Sequence, residues 1–110
     1  MTIKELMKES NATAIAKGWW EDERTFGDII ALMHSELSEA LEEYRREGTR
    51  AYRMLWHSNG KPEGIAVEFA DVLIRIFDTC QRLEIPLEEA LAEKLSYNQT
   101  RPYKHGGKVI

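Results

Sequence analysis

The sequence predicts an all-α fold, a four-helix bundle in one domain. Proline, glycine and helix-capping residues divide the 110 residues into four stretches, and apolar residues recur along them with a helical period. We find no segment with the alternation of apolar and polar residues that is typical of a half-buried strand. The length is that of one domain. We therefore expect a helical domain over residues 1–100 and a basic tail without regular structure over residues 101–110.

The first helix is predicted from a capping signal at the start of the chain. Thr2 and Glu5 have the spacing of a capping box, in which each side chain accepts from the other residue's backbone N–H. The helix should continue to about Ala16 and end before Gly18. Trp19 and Trp20 then begin a connection.

The second helix is predicted to begin after Thr25 and to run to about Glu47. Thr25 is a favourable N-cap residue, and Gly48 stands just beyond the expected end, where glycine often terminates a helix. Residues 49–61 should form a connection that contains a helical turn around residues 52–56. The pair Asn59-Gly60 would close this connection as a turn.

Two prolines mark the expected starts of the remaining helices. Proline suits the first turn of a helix because its missing N–H would have no partner there. Pro62 therefore predicts a third helix over about residues 62–83, and Pro86 predicts a fourth helix to about Thr100.

Composition excludes several classes of protein. The formal net charge of −4 argues against a partner that is a nucleic-acid polymer. A single cysteine, Cys80, excludes an intramolecular disulfide framework and fits a reducing compartment. No apolar run is long enough to cross a membrane, and the N-terminus does not resemble a signal peptide. We therefore expect a cytoplasmic protein without a membrane partner.

The third helix predicts self-association. Apolar residues cover most of its circumference and leave a narrow polar stripe of Glu68, Asp71, Arg75, Asp78 and Arg82. A helix that is apolar on so many sides must be covered on several sides, and a chain of four helices provides little cover. We expect a homo-oligomer, a dimer or a tetramer. Within the stripe, Asp71–Arg75 and Asp78–Arg82 have the spacing of ion pairs on one helix.

Two pairs of acidic residues, each three positions apart, are the strongest functional signal. Glu36 and Glu39 share a face of the second helix, and Glu68 and Asp71 share a face of the third. If these helices pack antiparallel, the four carboxylates converge. Oxygen ligands suit Mg²⁺ or Mn²⁺. Either pair alone would more often be a solvated surface feature, but carboxylates in the polar stripe of a buried helix are costly without a partner.

These motifs resemble the all-α nucleoside triphosphate pyrophosphohydrolases, the MazG-like superfamily. The segments Ser35-Glu36-Leu37-Ser38-Glu39 and Glu68-Phe69-Ala70-Asp71 are similar to its Glu-Glu-x-x-Glu and Glu-x-x-Asp motifs, with Ser35 in place of the first glutamate. Lys94-x-x-x-Asn98 and the ending Arg101-Pro102-Tyr103-Lys104-His105-Gly106-Gly107-Lys108 are also similar. Whether Ser35, Glu43 or a water takes the place of the first glutamate stays open.

The resemblance implies hydrolysis of a (deoxy)nucleoside triphosphate to the monophosphate and pyrophosphate. It implies Mg²⁺ held by Glu36, Glu39, Glu68 and Asp71, with Glu36 or Glu39 as the catalytic base. The residues that it places on the substrate phosphates are Lys94, Asn98, Arg101 and Lys104.

The nucleobase site is the least determined part of the prediction. Trp19, Trp20 and His34 are candidates for stacking on a base, although adjacent tryptophans are more often packing anchors and His34 lies near an apolar arc. Two alternatives to the main interpretation remain. One is a phosphoribosyl-nucleotide pyrophosphohydrolase using the same carboxylates, and the other is a non-catalytic helical interaction module, which Ser35 favours.

Overall fold

The computed structural model describes residues 1–103 and is mainly helical. The four helices are α1 (Ile3–Ala16), α2 (Phe26–Glu47), α3 (Ile65–Leu83) and α4 (Leu87–Thr100). Short 3₁₀ turns follow α1 at Trp19–Glu21 and α2 at Gly48–Arg53. Two strands, β1 (Trp56–Ser58) and β2 (Lys61–Glu63), form an antiparallel hairpin before α3. The helical prediction is therefore confirmed for the body of the chain, and the hairpin is the departure from an all-α fold.

Both predicted capping residues begin helices. Thr25 Oγ1 accepts from the Asp28 N–H at 3.0 Å, and Asp28 Oδ2 accepts from the Thr25 N–H at 2.9 Å, which forms a capping box. Thr2 and Glu5 make the equivalent pair of bonds at the start of α1. These local side-chain bonds satisfy backbone donors that a helix leaves without partners, so the starts of α1 and α2 follow directly from the sequence.

The predicted start of the third helix at Pro62 is wrong. Pro62 lies in β2 opposite His57, and α3 begins at Ile65. The reason is the turn at Asn59 and Gly60, whose φ angles of 52° and 81° suit a tight hairpin. Proline is tolerated in such a two-stranded edge. The helical turn expected around residues 52–56 is instead the 3₁₀ turn at Gly48–Arg53.

Helix α3 is the centre of the fold and packs on both α1 and α2. Met7 of α1 packs with Phe77 and Cys80 of α3 in one buried cluster. Ala40 of α2 packs with Ile65 of α3 in a second cluster. Glu36 lies one turn before Ala40 on α2, but its partner Arg75 lies after Ile65 on α3. Helices α2 and α3 therefore run antiparallel.

Helix α4 is attached to the rest of the protomer through its first turn. The Lys4 N–H donates to Glu88 Oε2 at 3.0 Å, and Leu87 packs against the cluster formed by α1 and α3. Residues 89–100 are exposed throughout. The radius of gyration is 16.7 Å, compared with about 13 Å for a compact chain of this length. The structure is therefore more extended than a compact domain of this length.

Large apolar side chains stay exposed on α2 and α3. Leu41 of α2 and Leu73 of α3 are 46% and 51% exposed. Leu37, Phe69 and Ile74 are similarly exposed. Among residues 1–103, none of the helices combines the length and the apolar composition that crossing a membrane requires.

Candidate functional site

Three of the four predicted metal ligands meet between α2 and α3. Glu36, Glu39 and Glu68 each contribute one carboxylate oxygen to a group in which all three atoms lie within 4.8 Å of one another. The i,i+3 spacing puts Glu36 and Glu39 on one face of α2, and the antiparallel packing brings Glu68 of α3 opposite them. We call these three residues the carboxylate cluster.

Glu68 is the buried member of the carboxylate cluster. It is 7% exposed, and its Oε2 has no hydrogen-bond partner among the residues that the structure describes. Burial, followed by the nearby Glu39, raises the pKa of Glu68 to about 8. A buried carboxylate without a donor is unfavourable, so this oxygen needs either a proton or a cation. A set of carboxylate oxygens is the kind of ligand that Mg²⁺ and Mn²⁺ take, so these residues fit such an ion.

Glu36 is held in the cluster by a residue of the neighbouring helix. Arg75 of α3 donates to Glu36 Oε1 from Nε at 3.1 Å and from Nη2 at 2.9 Å. The Glu36 side chain is only 13% exposed. A charged pair of this kind, with little exposure, fixes the rotamer of the carboxylate as well as compensating its charge.

Asp71, the fourth predicted ligand, lies beside the cluster. Its carboxylate is not among the three oxygens that share the 4.8 Å group. Burial and the charge of Glu36 raise the pKa of Asp71, while Arg75 and, more weakly, Lys61 of the hairpin act in the opposite direction. Asp71 therefore lies within the electrostatic field of the cluster. Lys61 is a basic residue near the site that the sequence analysis did not single out, because the hairpin that carries it was not predicted.

A cavity of about 710 Å³ adjoins the carboxylate cluster. Helix α1, the segment after it and α3 border this open cavity, and Glu36, Asp71 and Arg75 line one part of its wall. Trp19 and Asp78 line it as well. Its volume is within the range of small-molecule sites. One member of the cluster, Glu36, thus lines a space that is large enough for a nucleotide, whereas Glu39 and Glu68 lie outside its lining.

Of the three candidate base-stacking residues, the structure places Trp19 on the cavity. The guanidinium carbons of Arg24 and Arg75 lie 3.7 and 4.7 Å from the centroid of its ring. Trp20 does not line the cavity, and its Nε1–H donates to Asp78 Oδ1 at 2.9 Å. His34 is exposed on α2 and lies outside the cavity lining.

Sequence reasoning missed the partners of Asp78 and Arg75. Along α3, Asp78 was expected to form an ion pair with Arg82, and Arg75 was expected to form one with Asp71. Instead, Asp78 accepts from Asn11 of α1 and from Trp20, and Arg75 pairs with Glu36 of α2. The position of Asp78 in the narrow polar stripe was the available signal. The sequence carried no sign that Asn11 would be its partner.

Three of the four predicted phosphate-binding residues, Lys94, Asn98 and Arg101, do not line the cavity. Lys94 and Asn98 lie on the exposed part of α4, outside the cavity lining. The Lys94 ammonium and the Arg101 guanidinium lie 5.0 and 5.8 Å from the centroid of the Tyr97 ring. Lys104 lies outside the described residues.

Comparison with known proteins identifies no relative of this chain. It matches no protein-family model, no curated protein and no solved structure.

Proposed function

We propose that the protein is a metal-dependent nucleotide pyrophosphohydrolase of the MazG-like type. It would cleave a (deoxy)nucleoside triphosphate to the monophosphate and pyrophosphate. One observation carries the proposal: three carboxylates from two helices converge, Glu36 among them lines a nucleotide-sized cavity, and the buried Glu68 Oε2 has no partner among residues 1–103. A solvated acidic surface would not explain a carboxylate that is 7% exposed.

Glu36, Glu39 and Glu68 would hold Mg²⁺ or Mn²⁺, with Asp71 at the side of the same site. When bound, the cation supplies positive charge to the triphosphate and lowers the pKa of a water at phosphorus. Three carboxylates around one divalent ion leave a net negative site. The positive charge of the neighbouring Arg75, which also acts on Asp71, would partly offset the negative charge of the site where the phosphates would enter.

Glu39 is our choice for the residue that takes the proton of the attacking water. Glu36 is already engaged by two hydrogen bonds from Arg75, and Glu68 is buried. Glu39 is the exposed member of the cluster, so its carboxylate can accept a proton and release it to solvent. These contacts favour Glu39 over Glu36, a choice that the sequence leaves open.

A homo-oligomer is part of the proposal. Exposed apolar residues on α2 and α3, together with an α4 that is anchored by its first turn, leave surfaces that a second copy would cover. Lys94, Asn98 and Arg101 do not line the cavity of their own protomer. On an α4 that packs against another copy, they would be available to the triphosphate bound there.

The proposal is tested by incubating a panel of ribo- and deoxyribonucleoside triphosphates with Mg²⁺ or Mn²⁺ and measuring release of pyrophosphate and orthophosphate separately. We expect pyrophosphate, loss of activity with a chelator, and a decrease of about 100-fold or more in kcat for Glu39→Gln. Glu42→Gln is the matched control, because Glu42 lies on the same helix in an exposed pair with Arg45.

Two results would overturn the proposal. One is an inert panel. The other is an unchanged affinity for Mn²⁺ in Glu39→Gln and Glu68→Gln. Activity on a phosphoribosyl nucleotide alone would support the proposed carboxylate site but would change the proposed substrate to a phosphoribosyl nucleotide. Absence of both activity and cation binding would favour the interaction module.

A further inference from the structure

Asp78 is a buried carboxylate whose role the carboxylate cluster does not explain. It is 5% exposed and lies on α3 at the wall of the cavity. Charged side chains are rarely buried to this extent unless donors or an opposite charge compensate them. Among residues 1–103, no Lys, Arg or His forms a salt bridge with Asp78.

The donors that Asp78 does have are concentrated on one oxygen. Asn11 Nδ2 and Trp20 Nε1 donate to Oδ1 at 2.8 and 2.9 Å. No donor within the described part of the chain reaches Oδ2. An ionised carboxylate has about four acceptor positions, so half of the acceptor capacity of Asp78 is unused. The neutral donors fix its orientation and leave it able to accept from a ligand.

The position of Asp78 relative to the carboxylate cluster suits a nucleotide. Asp71, Arg75 and Asp78 recur at helical spacing on one face of α3, and all three line the cavity. The rise of an α-helix puts Asp78 about 10 Å along the axis from Asp71. A ligand with its phosphates near Glu36 and Asp71, which both line the cavity, would therefore extend toward Asp78. Trp19 supplies aromatic surface in the same cavity.

We infer that Asp78 is a specificity-determining residue that selects cytosine or adenine nucleotides, whose bases carry an amino group where uracil or hypoxanthine carries a carbonyl oxygen. The inference rests on the proposed function and deepens it by naming the substrate class. The exocyclic amino groups of cytosine and adenine are donors, whereas uracil, thymine and hypoxanthine have a carbonyl oxygen at the same position. An amino group donates to Asp78 Oδ2. A carbonyl oxygen there would set one acceptor against another, and such mismatches are heavily penalised.

The test compares pairs of substrates that differ only by this exchange of amino group for carbonyl. The kcat/KM of dCTP is measured against that of dUTP, and the kcat/KM of dATP against that of dITP. We expect at least one of these pairs to show a preference of about 10-fold or more for the amino form, as for a hydrogen bond to a charged group. Binding of dCMP and dUMP in the presence of Mn²⁺, measured by calorimetry, should show the same order.

Asp78→Asn provides the sharper comparison. Its amide oxygen can still accept from Asn11 and Trp20, and its NH₂ group then occupies the position of Oδ2. A donor in that position should favour a carbonyl, so the preference should fall to or below equality. Glu42→Gln is the matched control, since it removes the same charge from an exposed residue outside the cavity lining and should leave the ratios unchanged.

The outcomes separate this inference from the proposed function. Hydrolysis without a preference for the amino form, or an unchanged ratio in a folded Asp78→Asn protein, would refute the role of Asp78 and leave the pyrophosphohydrolase intact. If Asp78→Asn does not fold, the ratios of the wild-type protein decide the question. Failure to hydrolyse or bind any nucleotide would overturn both. Preferential binding of dCMP without hydrolysis would support the recognition and refute the enzyme.

Discussion

Arg75 and Glu36 join the two helices that carry the carboxylate cluster. Both guanidinium donors meet the same oxygen, Glu36 Oε1, at 3.1 and 2.9 Å, across 39 positions of sequence. The side chains are 26% and 13% exposed. Arg75 therefore positions one member of the cluster from outside it, and its charge also opposes the rise in the pKa of Asp71 that burial and Glu36 cause.

Replacing Arg75 should destabilise the protein more than replacing an arginine of a surface pair. Arg75→Met leaves Glu36 largely buried without its donors, so we expect the free energy of unfolding to fall by about 1–3 kcal/mol. Arg45→Met is the control, because Arg45 and Glu42 are both well exposed and such pairs contribute at most about 1 kcal/mol. Urea denaturation of both variants checks this. Equal losses would contradict the positioning role of Arg75.

The stability of the metal-free protein should decrease as the pH rises. Because the pKa of Glu68 is raised from 4.5 to about 8, the folded state binds this proton more tightly than the unfolded chain does. The resulting stabilisation is complete below pH 4.5 and is lost as the pH rises through 8. Unfolding free energies measured at pH 6 and 9 with a chelator present should show the loss.

Glu68→Gln is the variant that isolates this effect. A neutral side chain of the same shape has no proton to lose, so the decrease between pH 6 and 9 should be smaller than in the wild-type protein. Glu42→Gln, on the exposed face of α2, should retain the wild-type decrease. Parallel pH profiles for Glu68→Gln and the wild-type protein would show that burial of Glu68 does not control this titration.

Gly64, just before α3, should not tolerate a side chain. Its φ angle is 127°, and an added Cβ would lie 2.5 Å from the Met54 carbonyl oxygen. We expect Gly64→Ala to cost roughly 3 kcal/mol in stability. Gly60→Ala is the control, since Gly60 also has a positive φ angle but no heavy atom lies within 4 Å of the added Cβ. That variant should cost roughly 1–2 kcal/mol, and thermal unfolding separates the two. Equal costs would show that the close approach to Met54 is relieved without strain.

The exposed apolar face of α3 should mediate self-association. Leu73 is 51% exposed on this face, and a charge placed there would have to be buried in an interface. Sedimentation of the wild-type protein should give a dimer or tetramer, and Leu73→Glu should shift it toward the 12.7 kDa protomer. Ile15→Glu, at a similarly exposed residue of α1, should leave the assembly intact. A monomeric wild-type protein would contradict the proposed oligomer.

The sequence predicted the features that depend on neighbours along the chain. The starts of α1 and α2 follow from Thr2 and Thr25, whose side chains bond within one turn. The convergence of Glu36 and Glu39 with Glu68 required one further assumption, antiparallel packing, and the structure confirms that packing.

The features that the sequence did not predict depend on competition between local and distant partners. Pro62 is compatible with a helix start and with an edge strand, and the turn at Asn59 and Gly60 decides in favour of the strand. Arg75 and Asp78 each had a suitable partner one turn away on α3. Their actual partners lie on other elements, and Asn11 is 67 positions from Asp78. Helical spacing contains no information about such distant pairs.

The way in which α4 leaves α3 has a consequence for how the chain can evolve. Glu84, with a φ angle of 59°, and Pro86 set the direction of departure, while residues 89–100 are exposed in their own protomer. Folding of the protomer therefore places few demands on the amino acids at these positions. Natural selection on that stretch would act through whatever molecule meets it, so substitutions there can accumulate while the three-helix core stays as it is.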